Sequence, residues 1–412
     1  MNTTLDVVVV GAGPYGLSLA AHLRAAGLKF RIFGKPMSTW SEHMPAGMFL
    51  KSDGFASNLS DPAGSFTLKR FCEETGEPYE HQRLPVRLET FCAYGLNFQQ
   101  RAVPNLERKW VTSIEKTPEG FQVGLEDGEL LTARKVVLAV GITHFDFLPP
   151  DLKHLPAGLV SHSSLYGDVS KFRGRSVAVI GGGASACDLA VTLASEGVDV
   201  TIITRAPVVY FGEAPTDKER PLWQQLRHPS SGIGSSLRSR IYADAPWLVH
   251  YFPQRLRSRI VKRHLGPAAS WTVKDRIVGH IPLWVGTSIR TAEPREGKVH
   301  LNLSGPDGTE KSHVTDHVIA ATGYRPNVHR LGFLSEQLRS QLRTVDDAPI
   351  LSRRFESSVR GLYFVGVASA ASFGPVMRFA FGADYTARSL SRHLADSAAY
   401  AVSALHPAAG HE

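Results

Sequence analysis

Three cysteines in 412 residues are too few and too scattered for a disulfide scaffold. Cys72, Cys92 and Cys187 form no C-x-x-C pair and no zinc-type spacing, so neither a dithiol redox centre nor a metal site is expected. No apolar run approaches the roughly 20 residues that a membrane helix needs. The run Val7 to Val10 is too short for a signal peptide and follows Asp6 rather than a basic region. A cytoplasmic protein without a membrane partner is the expectation. Nucleic acid as a partner is not expected either, because no recognised module and no interleaved aromatics accompany the basic residues. The net charge of +8 is assigned instead to anionic cofactors and solubility. With 43% hydrophobic and 20% charged residues, the chain has the composition of an ordinary globular protein long enough for two cores.

What the chain does have is two glycine-rich loops, each between a β-run and a small-residue helix. Gly11-Ala12-Gly13-Pro14-Tyr15-Gly16 follows Val7 to Val10, and Gly181-Gly182-Gly183-Ala184-Ser185-Ala186 follows Ser176 to Ile180. In such a loop the first glycine permits the tight turn and the second lets backbone approach a pyrophosphate. The third lets helix and strand pack closely, and the helix N-terminus offers partial positive charge to the phosphates. Ala186 takes the last glycine position of the second loop. Two loops in these contexts imply two dinucleotides on one chain, and hydride transfer between them is the simplest use. The N-terminal loop is assigned to FAD. Its second strand ends Phe33-Gly34-Lys35, without the usual ribose-binding acid, so anchoring falls to backbone or Lys35. The second unit ends Ile203-Thr204-Arg205; an arginine in place of an acid favours a 2′-phosphate, hence NADPH.

The expected fold is α/β, with two Rossmann-like domains and the NADPH domain nested within a discontinuous FAD domain. The FAD domain is assigned to 1–150 and 310–412, and the NADPH domain to 151–309. Within the latter, a basic helical insertion is read over about 215–280. Helical periodicity covers Leu68 to Glu74 and Leu84 to Leu96, and a meander covers Lys109 to Thr132, followed by a separate strand at Lys135 to Val140. One strand is read at Val314 to Ala320, a helix from about Gly374 to Leu394, and a frayed end over Ala398 to Glu412.

These residues bring a family into view. The chain resembles the flavin-containing and N-hydroxylating monooxygenases. Gly158, His162 and Tyr166 match the core of that family's FxGxxxHxxxY linker fingerprint, with Pro156 replacing the leading Phe, and Tyr166 is similar to the heteroatom oxidisers rather than the Baeyer-Villiger enzymes. Asp316 to Tyr324, with Ala320 in the bulky position and Thr322-Gly323-Tyr324 at its end, resembles the N-hydroxylase ATGY motif. Ser57-Asn58 is similar to the stretch whose Asn meets flavin and nicotinamide, and Thr39-Trp40 to a flavin-contacting pair. Phe373-Gly374-Pro375 reads as a helix entry, and the resemblance implies that it faces the flavin pyrimidine.

The resemblance implies that NADPH reduces FAD, that dioxygen adds to give a C4a-hydroperoxide, and that one oxygen passes to a nucleophilic nitrogen or sulfur, or a ring carbon, of a small organic substrate. Asn58 is the residue it places in catalysis, positioning nicotinamide. A Baeyer-Villiger outcome, a reductase or oxidase without oxygenation, and an NADPH-sensing binding protein are the rivals. Trp223, Tyr242, Trp247, Tyr251, Phe252 and Trp271 of the insertion either wall a substrate pocket or pack a helical core, and its arginines either welcome an anion, form a homo-oligomer surface or stay solvated.

Overall fold

A computed structural model describes residues 4–212, 230–264 and 268–405, with side chains to 398. The first sheet is built around Leu5–Val10 (β1), whose Val7, Val8 and Val9 are fully buried because helices cover both faces of a parallel strand. The chain then forms Pro14–Ala25 (α1), Phe30–Phe33 (β2), Ser38–His43 (α2), Leu68–Thr75 (α3) and Leu88–Ala102 (α4). A meander of Val111–Thr117 (β3), Gly120–Leu125 (β4) and Leu130–Leu138 (β5) follows.

β5 is one continuous strand where the sequence suggests two. Its first half alternates exposed and buried residues and pairs antiparallel with β4; its second half, Val136 to Leu138, is buried on both faces and runs parallel beside β1. The charged pair Arg134-Lys135 does not break it, since Arg134 reaches the surface and pairs with Asp6 at 3.0 Å.

A second, all-parallel sheet uses Val160–His162 (β6), Ser176–Ile180 (β7), Asp199–Ile203 (β8) and Leu283–Trp284 (β9). The helix Ala184–Ser195 (α5) connects β7 to β8. An antiparallel sheet of Ser288–Arg295 (β10), Lys298–Ser304 (β11) and Glu310–Thr315 (β12) follows. His317–Ala320 (β13) then returns to the centre of the second sheet, between β6 and β7. The expected single strand at 314–320 is therefore two strands in different sheets, split at Asp316. That carboxylate accepts hydrogen bonds from the Ser176 amide (2.8 Å) and hydroxyl (2.9 Å), which turns the chain. The division expected at 310 consequently falls too early, because β13 belongs with the nested strands.

After a small hairpin of Thr344–Val345 (β14) and Ala348–Pro349 (β15), Leu362–Phe364 (β16) joins the first sheet beside β5. The first sheet thus draws strands from both ends of the chain, and the second lies between them in sequence. The two crossings run side by side: Phe147 donates to Gly323 O at 3.0 Å and Arg325 donates to Phe145 O at 2.7 Å.

The insertion is helical over Leu237–Asp244, Pro246–His250, Gln254–Arg263 and Lys274–Ile277, while the expected member Trp223 lies outside the described residues. The long C-terminal helix is Gly382–Leu405, so it starts later than expected and continues through 398–405, where fraying was expected. Gly374, at φ +91°, ends a short helix Ala370–Phe373, and Pro375 opens only one 3-10 turn. Phe373-Gly374-Pro375 is accordingly a helix break, not the entry of the long helix. No helix among the described residues is long and apolar enough to cross a membrane.

Candidate active site

Both glycine loops stand at the carboxyl ends of their sheets, where open α/β folds bind ligands. Gly11 turns at φ +113°, and a Cβ there would collide with the Ala139 carbonyl. A Cβ at Gly16 would collide with the Gly11 carbonyl, whereas one at Gly13 would meet nothing within 4 Å. Tight turn, open approach and close packing are thus divided among the three as phosphate binding requires. Gly181 repeats the first role at φ +146°, against the Ala321 carbonyl. The N-termini of α1 and α5 have no side-chain cap and no acid in the first turn, so their amides stay available to an anion. These observations fit two dinucleotide pyrophosphates. Pro14 is the buried first residue of α1 and Ala186 is buried in α5. Ala184 and Ser185 stand half-buried at the start of α5.

Other strand ends add turns of their own. Gly34 (φ +134°), Gly141 (φ +64°) and Gly366 (φ +69°) follow β2, β5 and β16. Thr39 lies beside Gly141, its hydroxyl 3.4 Å from where a Cβ would sit, and Trp40 packs edge-on to Phe91 at 4.8 Å. At the end of β2 the Lys35 ammonium pairs with Glu42. Glu107, whose carbonyl receives the Gly34 amide, has its carboxylate held by Arg31. At the end of β8, Thr204 is buried and lies against Gly182, 2.8 Å from a Cβ there. Arg205 is exposed beside it, with no ion-pair partner among the described residues.

Several expected contacts turn out to be occupied by the fold. Tyr15 donates its hydroxyl to Phe379 O at 2.9 Å, and burial pushes its pKa up. Asn58 uses both ends of its amide: Nδ2 donates to Phe55 O (2.9 Å) and Oδ1 accepts from the Leu68 amide (2.8 Å), fastening its loop to α3. Ser57 is buried and donates to Asp53 O at 3.0 Å.

His162 is fully satisfied. Its Nδ1 accepts the Ser164 amide at 3.2 Å, which fixes the proton on Nε2; that nitrogen donates to Gly323 O at 3.0 Å. Burial lowers its pKa, consistent with a neutral ring. His162 also packs edge-on to Tyr324, whose phenol burial pushes up to about 12. Thr322 donates its hydroxyl to Phe147 O. The linker fingerprint and the Thr322-Gly323-Tyr324 motif therefore meet where the chain crosses between the sheets. Gly158 O accepts from His317 at 3.1 Å, and Tyr166 is buried against Phe172.

Two charged residues that influence each other electrostatically were not singled out in the sequence. Lys51 donates to Ala268 O and lies within electrostatic reach of Asp188 on α5. Burial pushes the Asp188 carboxyl up to about 6 despite the opposing pull of Lys51. Only the fold brings them within electrostatic reach. In the insertion, Trp247 and Tyr251 are 49% and 60% exposed, so they do not wall an enclosed pocket.

Fold and site together define a protein built around two α/β sheets, each carrying a glycine loop shaped for a pyrophosphate. The chain belongs to the pyridine nucleotide-disulphide oxidoreductase family, whose pattern it matches over residues 8–222. It is 29% identical to an indole-3-pyruvate monooxygenase, YUCCA1, from Oryza sativa subsp. japonica, over 49% of this chain and 48% of that protein. The chain spans about half the length of the curated relatives it matches. Its fold is that of the ornithine hydroxylase PvdA from Pseudomonas aeruginosa (TM-score 0.73, 18% identity, 96% of this chain and 99% of that one). The Kutzneria sp. 744 ornithine N-hydroxylase KtzI, solved with reduced FAD, NADP⁺ and L-ornithine, superposes with a TM-score of 0.74 at 18% identity, over 96% and 100% of the two chains. The resemblance to flavin-dependent monooxygenases read from the motifs is borne out by these relatives.

Proposed function

We propose that the protein is an FAD- and NADPH-dependent monooxygenase that transfers one oxygen atom to a nucleophilic nitrogen or sulfur of a small organic substrate. The observation that carries this reading is the pair of open glycine loops at two sheet ends, of which, among the described residues, only the second has an unpaired guanidinium beside it. FAD and NADP⁺ occupy the like-folded KtzI, which supports the same pair here. FAD, when bound, supplies the redox chemistry, taking electrons from NADPH and delivering them to dioxygen.

The chain's own part is binding, orientation and exclusion of water. Gly11, Gly13 and Gly16 with the α1 amides hold the flavin pyrophosphate, and Glu42, drawn to the end of β2 by Lys35, replaces the missing ribose-binding acid. Gly181, Gly183 and the first turn of α5 hold the nicotinamide pyrophosphate, with Arg205 forking onto the 2′-phosphate. In this reading the flavin unit comprises 1–150 and the chain beyond the second crossing, and the NADPH unit the part between. His162, bonded to Gly323 O, steadies the crossing between the sheets, and Asn58 locks its loop to α3. Mass spectrometry of product formed under ¹⁸O₂ tests the proposal directly. One labelled oxygen per NADPH consumed supports it; NADPH consumption that yields only hydrogen peroxide with every amine and thioether tried overturns it.

A further inference from the structure

The helix that leaves the first glycine loop carries a polar seam. Tyr15, Ser18 and His22 fall at i, i+3 and i+7 on α1, which puts them on one face. The Ser18 hydroxyl accepts the Ser60 amide at 3.0 Å. The Ser60 hydroxyl donates to the Asp384 carboxylate at 2.6 Å and lies 3.0 Å from His22 Nε2, so that nitrogen carries the proton and donates. This face of α1 therefore meets the long C-terminal helix Gly382–Leu405.

Tyr15 stands at the loop end of the seam. Its hydroxyl donates to Phe379 O at 2.9 Å, with Val376 O at 3.5 Å and the Met377 thioether at 4.0 Å. Two glycines leave the space it uses: a Cβ at Gly382 would collide with the hydroxyl, and one at Gly366 would lie 3.5 Å from the ring. Between Gly374 and Gly382 the chain makes only a single 3-10 turn, Pro375–Arg378, so its position depends on specific ties such as this one. Gly366 follows β16 as Gly11 follows β1, and both strands run parallel to β5. The two ends of the chain thus meet at one carboxyl edge of the first sheet, and Tyr15 is a bond between them. In that sheet β2 lies on one side of β1, with β5 and β16 on the other. The ribose end of a dinucleotide belongs at the end of β2, which directs the half beyond the pyrophosphate to the β16 side, where Tyr15 acts.

We propose that Tyr15 is a positioning residue for the flavin ring: it holds segment 376–382 beside the first glycine loop, and that segment receives the half of the cofactor beyond the pyrophosphate. The inference rests on the assignment of FAD to this loop. A ligand that needs a segment in place loses affinity by the fraction of time the segment is elsewhere, and one neutral hydrogen bond shifts such a population about threefold to tenfold. The test separates the halves of the cofactor. Full-length protein, its second loop saturated with NADP⁺, is titrated calorimetrically with FAD and with ADP, which ends at the pyrophosphate. Tyr15→Phe keeps the ring and loses the hydroxyl; FAD binding weakens about threefold to tenfold, and ADP binding stays within about twofold. Gly382→Ala, which displaces the hydroxyl from outside the loop, gives the same selective loss. His22→Ala cuts the seam farther from the loop, lowers the urea midpoint and leaves the ratio of FAD to ADP affinity unchanged. Equal weakening of FAD and ADP in Y15F and G382A, no weakening of either, or a ratio moved as far by H22A overturns the proposal. A wild type that binds FAD no tighter than ADP removes the FAD assignment itself. A selective loss in Y15F with no label from ¹⁸O₂ removes the oxygen transfer and leaves this inference standing.

Discussion

The two α/β units share a glycine loop and differ at its far edges. In the first, the helix start is pressed so close that Gly16 has no room for a methyl group; in the second, Ala186 occupies the same place within a buried core. The first strand end offers a lysine already neutralised by Glu42, while the second offers Arg205 unpaired among the described residues. In the proposed reading, pyrophosphate binding is thus a property of the shared backbone geometry, and the choice of nucleotide is left to one or two side chains at the end of the following strand.

The largest effect that breaks this comparison is expected at Gly16. Gly16→Ala forces backbone against backbone, and overpacking of that kind costs about 1–3 kcal/mol, enough to lower flavin occupancy about tenfold or more as read from bound-flavin absorbance per chain. At Arg205, Arg205→Ala raises the KM for NADPH roughly tenfold to a hundredfold while leaving that for NADH nearly unchanged, because only the 2′-phosphate contact is lost. Asp188 gives a pH signature. Its folded pKa of about 6 lies above the unfolded value near 4, so its contribution is most favourable below pH ~4 and is lost as pH rises through 6. Asp188→Asn therefore stabilises the protein by about 2 kcal/mol at pH 8 and by little at pH 4, measured by urea unfolding. The smallest effect is at Ala186→Gly, which removes one buried methyl and changes stability by about 1 kcal/mol with NADPH affinity intact.

The loops and the strand-helix-strand units were already legible in the sequence, because each depends on local spacing or on a residue type that only one backbone geometry accepts. What it hid depends on partners far along the chain. The continuity of β5 needed β1 and β16 on its flanks, which no local pattern announces. Asp316 looked like the start of a motif and is also the corner that sends two adjacent strands into different sheets. Asn58 and Tyr15 sit where a ligand contact was expected, yet their polar atoms are held by Leu68, Phe55 and Phe379, residues up to 364 positions away. The electrostatic coupling of Lys51 with Asp188, and the bond from Arg257 to Ser372, are invisible without the fold. Local chemistry was legible; long-range satisfaction of polar groups was not.

The account is tested most directly by mixing the purified, flavin-loaded protein with NADPH in the absence of air and following the flavin absorbance. It predicts one flavin per chain, bleached fully by one equivalent of NADPH and far more slowly by NADH, with the difference between the two erased in Arg205→Ala. A chain that takes up no flavin, or a bound flavin that NADPH leaves oxidised, contradicts it.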